Sequence, residues 1–166
     1  MNSIGGKSKM TSGEAPMYFP LLINFYGKKV FIAGLGKVGR RRAQKLRDAG
    51  AVVTCADRRL KKLKGVQFYK KTLTQTNIPP LKNYFLVIAA TNDRDLNEAI
   101  AKKARKAGVL VNRVDDFRGG DVIFPAAVKV GKNLFAFTTF GRRPSSSKKV
   151  IEVLRNVIST IEVEEA

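Results

Sequence analysis

In Gly34-Leu35-Gly36-Lys37-Val38-Gly39, three glycines stand at a spacing that suits a backbone turn made to hold phosphate. Gly34 permits the tight turn, Gly36 lets the main chain come against a pyrophosphate, and Gly39 lets a helix pack close to a strand. Lys37 and Val38 fall in the first turn of that helix, where N–H groups and the positive dipole end attract anions. Asp57 follows Gly34 by about 20 residues, the separation expected of an acid on the ribose hydroxyls of a dinucleotide. A carboxylate there favours NAD over NADP, whereas Arg58 and Arg59 beside it would suit an added phosphate. Further on, Thr91 and Asn92 either line the cofactor site or cap the next helix. Asp115 and Asp116 are candidates for a general base or for orienting a substrate amine, and equally for a turn held by aspartate–backbone bonds.

Such residues work only if one scaffold brings them together. The run from Lys28 to Ala33 is β-branched and aromatic and ends at the glycine turn, which predicts a buried strand. From Lys37 to Ala49 the period becomes helical, with Gly39, Ala43, Leu46 and Gly50 forming a small-residue face. Strands are predicted over Ala51 to Ala56, Val66 to Tyr69 and Val109 to Val111, with a central, wholly apolar one from Tyr84 to Ala90. Pro79-Pro80 marks a loop. A helix from Asp93 to Ala107 buries Leu96, Ile100 and Ala104 and is stopped by Gly108. Strands alternating with helices predict an α/β fold, a Rossmann-like parallel sheet over residues 17–118.

Beyond Asp116 the texture changes. Val122 to Val128 and Leu134 to Thr139 are expected to be strands joined by a turn at Gly131-Lys132-Asn133. A helix then begins near Pro144, with Val150, Val153, Leu154, Val157, Ile158 and Ile161 apolar. That face is too apolar for a lone surface helix, so residues 119–166 are expected to form a small α+β dimerisation segment. Residues 1–16, polar and rich in Gly and Ser, are expected to be a disordered extension.

Charge is the unusual part of the composition. There are 32 Lys and Arg against 13 Asp and Glu, a formal net charge of +19. This favours an anionic partner. The basic residues are dispersed and no zinc-finger, homeodomain or RNA-recognition signature is present, so nucleic acid is not the expected partner. Histidine is absent, which removes the commonest general base and metal ligand, and no protein-held metal is expected. The single cysteine, Cys55, suits a core position and a reducing, cytoplasmic setting. No apolar run reaches the roughly 20 residues needed to cross a bilayer.

Four blocks in order, "MYFPLLINFYGKKVFIAGLGKVGRRRA", "FLVIAATNDRDLN", "VLVNRVDD" and "VIFPAAV", resemble the precorrin-2 dehydrogenase family, the dehydrogenase portion of siroheme synthases. The resemblance runs from Met17 to about Pro144. It implies NAD-dependent oxidation of precorrin-2 to sirohydrochlorin by a homodimer, with ferrous iron insertion in some members. It puts the family's important aspartate on Asp115 and cofactor contacts on Gly36, Lys37, Val38, Asp57, Arg58 and Arg59. Contacts to the anionic tetrapyrrole are expected at Arg41, Arg42, Asn112, Asp116, Thr139, Arg142 and Arg143. Where the family usually shows a Gly-Gly-x-Ser-Pro-like turn, this chain has Phe140-Gly141-Arg142-Arg143-Pro144. The reading from a different class is a non-catalytic NAD-sensing module of the potassium-transport regulator type. The leader from Met17 to Gly27, the Asp115-Asp116 pair and Ile123-Phe124-Pro125 argue against that module.

Overall fold

The computed structural model describes residues 18–59, 63–140, 146, 149–154 and 157. Five parallel strands carry the molecule: β1 (Lys29–Ala33), β2 (Val52–Asp57), β3 (Gln67–Lys70), β4 (Leu86–Ala89) and β5 (Leu110–Arg113). Their order across the sheet is β3-β2-β1-β4-β5. The chain therefore reverses direction across the sheet between β1 and β4. A crevice opens at such a point, beyond the carboxyl ends of the strands.

Alternation explains why the central strands bury both faces. From β1, Phe31 and Ala33 join one apolar cluster with Val87, Ile100 and Val111, while Val30 and Ile32 join the other with Ala43, Val53 and Ile88. Helix α1 (Lys37–Asp48) covers the second face with Gly39, Ala43 and Leu46. Helix α2 (Arg94–Lys106) covers the first with Leu96, Asn97, Ile100, Ala101 and Ala104. Burying each large aliphatic side chain contributes about 1.5–3 kcal/mol. Cys55 is fully buried in β2, and burial first, then the charge of Asp57, pushes its thiol up to about 12.

Helices alternate with strands less regularly than expected. The link between β3 and β4, residues 71–85, contains no helix. Pro79 and Pro80 cannot donate to a helix ladder. Asn77 instead turns the chain, accepting from the Thr74 N–H (2.9 Å) and donating to the Thr72 carbonyl (3.0 Å). Ile78 and Leu81 then drop into the core.

Strand β5 runs past Val111 to include Asn112 and Arg113, which pair with Ile88 and Ala89 of β4. A second sheet pairs β6 (Ala126–Val130) with β7 (Asn133–Phe137) in antiparallel fashion about Gly131. It starts later than expected because Pro125 lacks an N–H, and Val122 and Phe124 pack against the cluster beneath α1 instead. The described residues at 149–154 are helical. Ile151 is buried there, while Val153 and Val157 stay half-exposed. Ile158, Ile161 and the extension at 1–16 lie outside the described residues. No described helix is long and apolar enough to cross a membrane.

Candidate active site

The carboxyl edge of the sheet opens into a cavity of about 450 Å³, walled by Gly34, Gly36, Asp57, Arg58, Arg59, Lys71, Thr72, Thr91 and Asn92 among others. The three glycines of the turn do three different jobs. Gly34 has φ +90°, and a Cβ there would lie 2.5 Å from the Ala90 carbonyl oxygen. At Gly39 a Cβ would lie 2.1 Å from the Gly34 carbonyl oxygen, so α1 can approach β1 only because no side chain intervenes. At Gly36 a Cβ would meet nothing within 4 Å. Gly36 is also the N-cap of α1, with no side-chain cap bond and no acidic residue in the first turn. The space beside Gly36 and the uncapped N–H groups after it fit an anion the size of a pyrophosphate.

Asp57 closes the cavity from the end of β2. Its Oδ2 accepts from the Leu35 N–H (2.6 Å) and its Oδ1 from the Arg59 N–H (2.9 Å). The acid thus pins the glycine turn as well as facing the site. Lys71 adds a cation that sequence reading missed. It sits one residue beyond β3, where its N–H donates to the Asp57 carbonyl (3.0 Å).

Thr91 forms the opposite wall. Neither it nor Asn92 caps α2; Asp93 does, accepting from the Leu96 N–H (2.9 Å). Thr91 is clasped by Asn97, which is wholly buried. Asn97 Oδ1 accepts from the Thr91 N–H (3.1 Å) and hydroxyl (2.7 Å), and its Nδ2 donates to the Thr91 carbonyl (3.1 Å).

Asp115 lies just past β5, at the same carboxyl edge of the sheet but not among the residues that wall the cavity. Arg113, 4% exposed, grips it through Nη2–Oδ2 (2.7 Å) and Nε–Oδ1 (3.3 Å) and reaches Glu98 with Nη1. Burial would raise the Asp115 carboxyl. The Arg113 hydrogen bonds, its own backbone N–H, the Arg113 charge and the nearby Asn97 amide outweigh that and hold it below its ordinary value. Asp115 is therefore an anion at neutral pH.

A family described as "Putative NAD(P)-binding" matches residues 21–126. A "Putative precorrin-2 dehydrogenase" of Methanocaldococcus jannaschii is 30% identical over 156 residues, spanning 87% of this chain and 75% of that one. The chain belongs to the precorrin-2 dehydrogenase and siroheme synthase family. The siroheme synthase of Blochmanniella floridana is 34% identical over 145 residues, and the matched part is 32% of its length. The chain thus spans about a third of the siroheme synthases it matches. The solved structure of "SirC, precorrin-2 dehydrogenase" superposes with a TM-score of 0.66 over 84% of this chain and 71% of that chain, at 22% identity, and shares the fold.

Within this family member, the residues expected at the tetrapyrrole divide. Arg41 is exposed on α1. Arg42 turns inward, bonds Asn112 Oδ1 and stacks its guanidinium 4.8 Å from the Phe124 ring. Burial, then the neighbouring Arg41 charge, lowers it to about 10. Asn112 donates in turn to the Val122 carbonyl (2.6 Å). Arg42 and Asn112 therefore join α1, β5 and the 122–124 segment. Asp116 accepts from the Arg118 N–H (3.1 Å), capping a short 3-10 turn at Phe117–Gly119, and faces Arg94 at 3.9 Å. Thr139 lies beyond β7, half-buried. Arg142 and Arg143 fall outside the described residues.

Asn97, Glu98, Arg113 and Lys71 escaped the sequence reading. Two of them leave a signal: Asn97 is polar on the apolar stripe of α2, and Arg113 is a charge at the end of a buried strand.

Proposed function

We propose that the protein is an NAD-dependent precorrin-2 dehydrogenase that yields sirohydrochlorin. The observation that carries this reading is the placement of a dinucleotide cradle and an ionised Asp115 on one sheet edge of a member of this family. The substrate gives up a hydride and a proton, and NAD supplies the two-electron acceptor when bound. The uncapped start of α1 holds the pyrophosphate, and Asp57 receives the adenosine ribose. Asp115, held anionic, is a weak base at neutral pH. Its best use is to offset positive charge that develops on the macrocycle as hydride leaves, before the proton passes to solvent. Arg41, Arg142 and Arg143 attract the substrate carboxylates, and the field behind them raises the encounter rate.

Residues 17–118 form the NAD-binding unit in this reading, and residues 119–166 pair with a second copy in the cytoplasm. The half-exposed Leu134, Phe140, Val153 and Val157 support that pairing.

The test is an anaerobic absorbance assay with freshly generated precorrin-2 and NAD. A sirohydrochlorin spectrum with stoichiometric NADH is expected, and KM for precorrin-2 should rise with ionic strength. Asp115→Asn should keep NAD affinity and lose turnover. NAD binding without turnover in the unmodified chain would favour the sensing module. Ferrous iron added after the first step asks whether the same chain also metallates its product.

A further inference from the structure

Arg113 is an odd residue for the end of a buried parallel strand. It is 4% exposed and paired in register with Ala89. Replacing a buried ion pair by apolar residues of similar size is often neutral or stabilising, so energetics gives no reason for an arginine here. Its surroundings are nevertheless shaped to it. A Cβ at Gly119 would lie 2.6 Å from Arg113 Nη1, and one at Gly120 would lie 2.9 Å from its backbone nitrogen. Gly119 packs against the guanidinium, and Gly120 packs against the strand backbone beside it. The two oxygens of Asp115 meet Nε and Nη2, while Glu98 takes Nη1. Asn97, close to Asp115, holds Thr91 on the cavity wall.

We propose that Arg113 is the positioning residue of the active site: its planar fork fixes the orientation of the Asp115 carboxylate at the carboxyl edge of the sheet. The proposal rests on the role given to Asp115 above. A bidentate guanidinium sets a plane as well as a charge, which a lysine cannot do. Asp115 is faced by Arg113 from β5 and Asn97 from α2, and Arg113 in turn by Glu98 from α2 and by Asp116, itself close to Arg94.

The experiment compares full-length Arg113→Gln, Arg113→Lys and Asp115→Asn. It measures kcat and KM for precorrin-2 against pH, NAD affinity by calorimetry, and folding by circular dichroism. In Arg113→Gln, kcat should fall about 10- to 100-fold, the cost of removing a residue that orients a reacting group. NAD affinity should stay within about twofold. Activity needs the carboxylate, and Arg113 holds it below its ordinary value. Its loss must therefore move the acid limb of the kcat profile to higher pH. Arg113→Lys keeps the charge and should leave the acid limb in place while restoring only part of kcat.

A kcat within about twofold of the parent in Arg113→Gln, with Asp115→Asn inactive, overturns the proposal. So does a fall in kcat with neither a moved limb nor rescue by lysine, which a purely structural role would give. If Arg113→Gln does not fold, Arg113→Lys decides: a several-fold lower kcat at unchanged NAD affinity is expected, and an unchanged kcat refutes it. Full activity in Asp115→Asn would instead bring down the reading of Asp115 itself.

Discussion

Ile88 in β4 and Leu134 in β7 are aliphatic side chains of similar size, and the molecule treats them in opposite ways. Ile88 is 0% exposed, between strands and beneath α1, whereas Leu134 is 52% exposed on a two-stranded ribbon. The contrast extends to whole regions. The parallel sheet buries both its faces with elements of its own, since α1 and α2 bring apolar stripes to either side. In the hairpin only Val128 is buried, and Phe140, Val153 and Val157 remain in contact with solvent. A two-stranded ribbon with half its apolar surface exposed is marginal by itself. The cofactor edge thus completes its core within one chain, while the second region leaves large apolar side chains half in solvent.

The sharpest way to break that contrast is at the glycine turn. Gly39→Ala forces a methyl group onto the Gly34 carbonyl, 2.1 Å away, and should cost about 3 kcal/mol or more. A lowered urea midpoint checks it. Gly36→Ala meets nothing within 4 Å and should leave unfolding within about 0.5 kcal/mol of the parent. Its methyl would still project where a pyrophosphate must approach, so NAD affinity should fall about tenfold, or about 1.4 kcal/mol. If Gly36→Ala binds NAD normally, the cradle lies elsewhere.

Next in size comes the pair that opened the comparison. Ile88→Ala should lower stability by about 2–5 kcal/mol. Leu134→Ala should cost under about 1 kcal/mol in the dilute monomer, because that residue is only half-buried there. At high protein concentration the same change should weaken self-association in sedimentation. Equal costs for the two substitutions at every concentration would erase the distinction between the regions.

These regions were also unequally legible in the sequence. The glycine turn, Asp57 and the apolar runs of β1 and β4 are local signals, each carried by neighbouring residues, and they led directly to the parallel sheet. Arg113 stands two residues from Asp115, but the other groups of the cluster are not local. Glu98 is brought from α2, and Asn97 is defined by Thr91 across a helix start. Nothing in their spacing shows that the fold will close them on one another. Arg42 was misleading in a different way: a basic residue after a phosphate-binding turn suggests solvent or substrate, yet it turns beneath Phe124. The 71–85 link has too few periodic residues to declare itself, and its two buried anchors, Ile78 and Leu81, are visible only in three dimensions.

The junction between the regions gives a smaller effect. Asp121 accepts from the Val111 N–H (3.0 Å) and from Arg105 Nε (3.2 Å), so it extends the edge of β5 before the chain leaves the sheet. Asp121→Ala removes a charged acceptor from a backbone donor and should cost about 1–2 kcal/mol. Amide exchange at Val111 should quicken more than at Val87, which lies one strand inward.

The smallest effect is the pH dependence of the Asp115–Arg113 pair, and its sign is fixed. The folded Asp115 carboxyl lies below its ordinary value of 3.8. Its contribution to stability is therefore complete above that value and is lost as pH falls through the lower, folded value. The difference in urea midpoint between the parent and Asp115→Asn should stay constant from about pH 8 to about pH 5 and shrink only below about pH 4. A difference that already shrinks at about pH 6 would mean that Asp115 titrates high, as an unpaired buried acid does. The grip of Arg113 would then be absent in solution.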